Sequence, residues 1–169
     1  GQAKSCSTLG SINHQNGNYA EAMSYSRKSM EIYSELDDKN GIASVLSVKA
    51  RVYWSQGMVD RALEHYLESL RGKQDIDASD DELALCHLNI GACYSGLNRL
   101  DLALSSYEYA QKILEETGNL KKLAYIYNNI GSVYGKMEKL DKAREYFQKA
   151  LEIREDLGDK NGIASTLAN

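Results

Sequence analysis

Cys86, His87 and Cys93 stand close enough in the chain, and are of the right types, to suggest metal or thiol chemistry. The cysteines lie seven residues apart, two helical turns, so on a helix they would share one face. A thiolate–imidazole zinc site needs a second ligand pair at short spacing, and no Cys-x-x-Cys pair exists here. Against an internal repeat of the chain, Cys86 and Cys93 align with Val45 and Val52 and with Ile126 and Val133, which predicts core positions. His87 aligns with Leu46 and Tyr127 and is expected to pack; His14 and His65 share no such position and are expected in solvent. Asp75, Asp77 and Ser79 imitate the start of a calcium loop, but Asp80 stands where glycine is needed and Cys86 where the bidentate glutamate belongs. No phosphate-cradling glycine loop, nucleophile elbow or Ser/His/Asp set occurs, so the chain is expected to be no enzyme and to carry no cofactor or metal.

The elements that would position any site are helical. The 169 residues include no proline, against an average near 5%. Proline removes a donor and clashes with the preceding turn, so its absence suits a chain made of helix. Tyrosine occurs twelve times and phenylalanine once, a bias toward half-buried rings whose hydroxyls stay wet. Net charge is −4 and the signs are mixed, with no basic stripe for nucleic acid. No apolar run approaches membrane-span length, so neither nucleic acid nor membrane is expected as a partner. Three cysteines, with Cys6 the third, fit no disulfide framework and point to a reducing compartment. Cytoplasm is the expectation, a periplasmic sensor segment the alternative.

Asp-Lys-Asn-Gly-Ile-Ala-Ser occurs at Asp38–Ser44 and again at Asp159–Ser165, 121 residues on, a distance of three units of 40, 41 and 40. Small residues recur at Gly10, Ala50, Gly91 and Gly131; twelve residues later come Ala22, Ala62, Ala103 and Ala143. Four further on stand Ser26, Tyr66, Tyr107 and Phe147, then Ser29, Ser69, Ala110 and Ala150. Small residues let two helices approach, and aromatics fill the groove beside them. The pattern resembles the tetratricopeptide repeat, here with a period near 40 in place of 34 and no closing proline, as in bacterial sensors and regulators, peptide-pheromone receptors, LGN-type scaffolds and kinesin light chains. The resemblance implies an all-α, right-handed superhelical solenoid of antiparallel helix pairs. Its units are about 1–40, 41–80, 81–120 and 121–160, with the start of a fifth at 161–169, expected to be a piece of a longer array. Helices are predicted at 2–15, 19–36, 41–56, 59–74, 81–96, 100–117, 121–136 and 140–157, with a ninth from about 161. Turns are expected at Gln15–Gly17–Asn18, Gln56–Gly57, Leu97–Asn98 and Met137–Glu138, helix stops at Gly118 and Gly158, and a capping box at Ser79–Glu82.

In repeats of this kind the first helix of each pair lines a concave groove. The positions implied are Lys4, Ser7, Thr8, Ser11, His14 and Gln15; Ser44, Ser47, Val48, Arg51, Trp54 and Ser55; Leu85, Leu88, Asn89, Ala92, Ser95 and Gly96; and Tyr125, Asn128, Asn129, Ser132, Gly135 and Lys136. None is acidic, and Lys4, Arg51 and Lys136 are the only charges. An asparagine offers donor and acceptor together and can pair with both sides of a peptide group. By resemblance, Asn89, Asn128 and Asn129 are assigned to the backbone of an extended peptide, and Trp54, Leu85, Leu88 and Tyr125 to apolar anchoring. The basic set needed for the carboxylate clamp of chaperone-binding members is missing: its positions hold Ser47, Arg51, Asn89, Tyr125 and Asn129. The implied function is non-catalytic binding of a peptide or protein segment, as the sensor or scaffold part of a larger regulatory protein. Three alternatives remain: asparagines that only bridge helices in a structural spacer, binding by the convex face, and self-association through the solenoid ends.

Overall fold

The computed structural model describes all of residues 1–169 as nine α-helices with no strand. The chain divides into two compact units, Gly1–Ser79 and Asp80–Asn169. The first holds α1 (Gln2–Gln15), α2 (Tyr19–Glu35), α3 (Lys39–Ser55) and α4 (Val59–Gln74); the second holds α5 (Asp80–Gly96), α6 (Leu100–Thr117), α7 (Leu120–Lys136), α8 (Leu140–Asp156) and α9 (Lys160–Leu167). Every helix begins within two residues of its predicted start.

Each two- or three-residue connection carries a left-handed residue that reverses the chain. Gly17, Gly57, Asn98 and Glu138 do this inside the hairpins at φ of 79°, 75°, 58° and 61°; Gly118 does it between α6 and α7 at 69°. Such short turns force neighbouring helices antiparallel. The heptapeptide that occurs twice is a helix start: Asp38 and Asp159 accept from the backbone N–H of Gly41 and Gly162 at 2.8 and 3.0 Å. Glycine is required there because a methyl group at 41 would enter the Tyr33 ring and one at 162 would collide with the capping Asp159 carboxylate and then with the Arg154 side chain.

In the first unit α1 pairs with α2, α3 with α4, and α2 and α1 both touch α3. Val45, Ala50, Val52, Ala62 and Tyr66 form the buried side of the α3–α4 hairpin. Buried hydroxyls tie each hairpin: Ser29 Oγ donates to the Ala3 carbonyl at 2.8 Å, and Ser69 Oγ to that of Ala43 at 2.7 Å. In the second unit α5 pairs with α6 and α7 with α8, while α6 packs on α7 and α8 on α9. Here the core is continuous and apolar, running through Ala84, Tyr107, Leu114, Ile126, Ile130, Val133 and Ala143. A methyl group at Gly91 would stand 2.6 Å from Tyr107 and one at Gly131 2.8 Å from Phe147, so the small positions are where aromatics of the second helix seat. Cys86 and Cys93 are buried, as expected, and burial pushes the Cys93 thiol up to about 12, leaving it protonated.

Candidate functional site: the first-helix walls

In the first unit, α1 and α3 present the expected groove residues side by side. Lys4, Ser7, Thr8 and Ser44, with Tyr33, Asp38, Asn40 and Gly41, line an open polar cavity of about 360 Å³. Farther along, two rungs cross between the helices: Arg51 Nη2 donates to Ser11 Oγ at 3.1 Å, and His14 Nε2 lies 2.9 Å from Ser55 Oγ. Arg51 is therefore held by a serine of the preceding repeat. Trp54 stays open, 41% exposed. Val48 turns into the core at 6% exposure, and Ser47 Oγ is taken up by Ser69 Oγ at 2.8 Å.

The two histidines expected in solvent are not there. His14 is half-buried beside Tyr19, and His65 stacks on Tyr53 with ring centroids 5.3 Å apart. Burial, reinforced by the charge of Arg51 for His14 and of Lys49 for His65, holds both below the ordinary imidazole value. The linear sequence hides this because the partners sit on other helices. His87 packs as expected, 4.2 Å from the Tyr109 ring, and burial lowers it likewise.

In the second unit α5 and α7 bring Asn89 and Asn129 to the same position of successive helices. Both are half-buried, and neither side chain has a hydrogen-bond partner within the protein. Leu85 and Tyr125, on the same two helices, are 44% and 59% exposed. The other predicted residues are committed elsewhere. Leu88 packs against the core. Asn128 Oδ1 accepts from Asn169 Nδ2 at 3.2 Å, and Lys136 Nζ donates to the Ser95 carbonyl and hydroxyl at 3.0 and 2.9 Å. Asn169 was missed by the sequence reading, although it follows Asn129 by the same 40 residues that separate Asn89 from Asn129. Tyr33 and Asn40 were missed as well; the doubled heptapeptide was the signal for Asn40.

Repeated hairpins with small-residue seats and a first-helix wall match a known family. Models of the tetratricopeptide repeat fit residues 3–75 and 124–157, together more than half of the chain. The chain is a tetratricopeptide-repeat protein. No curated protein sequence matches it. Among solved structures, the apo form of RapI superimposes with a TM-score of 0.91 at 22% identity, over 98% of this chain and 60% of RapI. A Rap protein complexed with competence and sporulation factor gives 0.86 at 18%, over 97% and 45%. A signal-transduction ATPase with a tetratricopeptide-repeat sensor, from Pyrococcus horikoshii, gives 0.89 at 20%, over 98% and 26%. At these identities what is shared is the solenoid fold, and the chain spans about 60% or less of those three proteins. Tetratricopeptide repeats build protein-interaction modules. No helix is long and apolar enough to cross a membrane, and no three His, Cys, Asp or Glu are grouped to hold a metal ion.

Proposed function

We propose that this tetratricopeptide-repeat protein is a non-catalytic docking module for an extended peptide or protein segment, the sensor or scaffold part of a larger regulatory protein in the cytoplasm. One observation carries the reading: Asn89 and Asn129 are half-buried on adjacent first helices, and their amides have no protein partner. Neither amide is sealed from solvent, so both are open to a ligand, and a peptide backbone offers the matching donor and acceptor. Leu85 and Tyr125 flank these amides and would take apolar side chains. The wall is already braced by the Lys136–Ser95 rung, so little ordering cost falls on the protein. The structural likeness to a Rap protein complexed with a competence and sporulation factor supports the same kind of ligand.

Asn89→Ala with Asn129→Ala is expected to abolish binding of peptides selected on the domain and to leave the thermal midpoint within a degree or two. Equal loss of binding and stability would make these asparagines structural. A second reading rests on the apolar cavity of about 320 Å³ beside α8 and α9, lined by Leu140, Phe147, Leu151 and Leu167. Leu140 and Leu167 are largely exposed, a surface that a second copy could cover. Light scattering over a concentration series separates the two, since a domain that stays monomeric when concentrated rejects self-association.

A further inference from the structure

The last hairpin junction of the second unit departs from the one before it. Between α6 and α7 the contact is made by Leu114 and Ile126, both fully buried. Forty residues later the same two positions hold Arg154 on α8 and Thr166 on α9, still buried at 4% and 5% exposure. The Arg154 Nη1 donates to the Gly162 carbonyl at 2.6 Å and to the Thr166 hydroxyl. No carboxylate lies within ion-pairing distance of it. Asp159, next to Gly162, is engaged in capping the α9 N-terminus. Nε and Nη2 donate to nothing in the protein, yet neither is sealed from solvent. The ring of Tyr125, a groove-wall residue, lies 5.8 Å from the guanidinium carbon.

A guanidinium this buried is expensive without an anion, and an apolar pair of similar size would fill the space at less cost. The preceding junction has that apolar pair. The charge is therefore an addition whose benefit must come from something it meets, and its free N–H groups form a fork that matches a carboxylate. We infer that Arg154 is a specificity residue of the groove, receiving one carboxylate of the bound peptide beneath a displaced Tyr125 ring. The carboxylate is that of an acidic side chain or of the chain terminus. This inference rests on the peptide-docking reading. It differs from the first-helix basic clamp that the sequence lacks, because the cation comes from a second helix and reaches the wall from behind.

The test uses short peptides selected from a random display library on the whole 169-residue domain. Each acidic side chain is replaced by its amide, and the terminal carboxylate by a carboxamide, one at a time. Binding is measured by calorimetry on the wild type, on the double variant Arg154→Leu/Thr166→Ile, and on Asn89→Ala/Asn129→Ala. The double variant restores the Leu–Ile pair of the preceding junction, so its thermal midpoint should equal or exceed the wild-type value. One amide replacement is expected to weaken wild-type binding roughly tenfold or more and to leave binding to the double variant unchanged. Which replacement does so identifies the source of the carboxylate. If no replacement matters, or if the double variant keeps the wild-type acid-to-amide ratio, the assignment of Arg154 is overturned. If the asparagine variant binds as tightly as the wild type, the docking reading itself has failed, and this inference with it.

Discussion

The two units solve one packing problem with different chemistry. In the second, hairpins close by seating rings over glycines, Tyr107 on Gly91 and Phe147 on Gly131. In the first, the α1–α2 hairpin has Ser26 opposite Gly10, and the hydroxyl of Ser29 ties α2 to α1. The positions of Ser29 and Ser69 are occupied in the second unit by Ala110 and Ala150, which are buried and need no partner. The walls differ in the same sense. The first unit lines a polar cavity with small hydroxyl residues, whereas the second sets Leu85 and Tyr125 beside two unpaired amides. A repeat fixes the distance between helices; the residues at each seat decide whether the contact is dry, and those on the wall whether its surface is polar or mixed.

The largest effect expected from this contrast lies at the glycine seats. Gly91→Ala should cost about 2 kcal/mol, because the buried Tyr107 ring cannot yield to a methyl group. Gly10→Ala should change stability by less than about 1 kcal/mol, since the better helix propensity of alanine offsets a tight but adjustable contact with Ser26. Urea unfolding of both variants decides it, and equal costs would erase the distinction between ring seats and serine seats. Next in size, Ser69→Ala should lose about 1 kcal/mol by removing the bonds to Ala43 and Ser47. A gain on that substitution would mean the hydroxyl ties are a burden the second unit has shed.

Acid should act on both units through their packed histidines. His14, His65 and His87 all have folded values below the ordinary one near 6.5, so the native state prefers the neutral rings. Their stabilisation is fully present above that pH and declines as pH falls from it toward the lowered folded values. The thermal midpoint should therefore drop between about pH 7 and about pH 5, and less steeply in a His14→Asn/His65→Asn variant. A flat profile in the wild type would show that these rings are more open in solution than packed. The smallest expected effect is at the α7–α8 turn, where Glu138 holds the left-handed conformation that glycine takes in both hairpin turns of the first unit. Glu138→Gly should raise stability by about 0.5–1 kcal/mol, readable as a shift in urea midpoint.

Much of this was legible in the linear chain. Period and helix limits follow from local rules, because small seats recur at a fixed spacing and glycine or asparagine marks most hairpin turns, Glu138 being the exception. The same period located Asn89, Asn129, Leu85 and Tyr125 on the walls. It could not separate them from Arg51, Asn128 and Lys136, which occupy equally periodic positions but are held by Ser11, Asn169 and Ser95.

The sequence by itself determined the hairpin repeat, the identity of the first-helix face and its lack of acidic groups. Only the tertiary structure decided which side chains on that face are already paired, that His14 and His65 are packed, and that Arg154 is buried without a carboxylate. The physical reason is one of range. Secondary structure answers to neighbours within a few residues, whereas a hydrogen bond across the wall joins residues 40 or 41 apart, and whether it forms depends on the separation of stacked helices and on the length of the side chains that meet there.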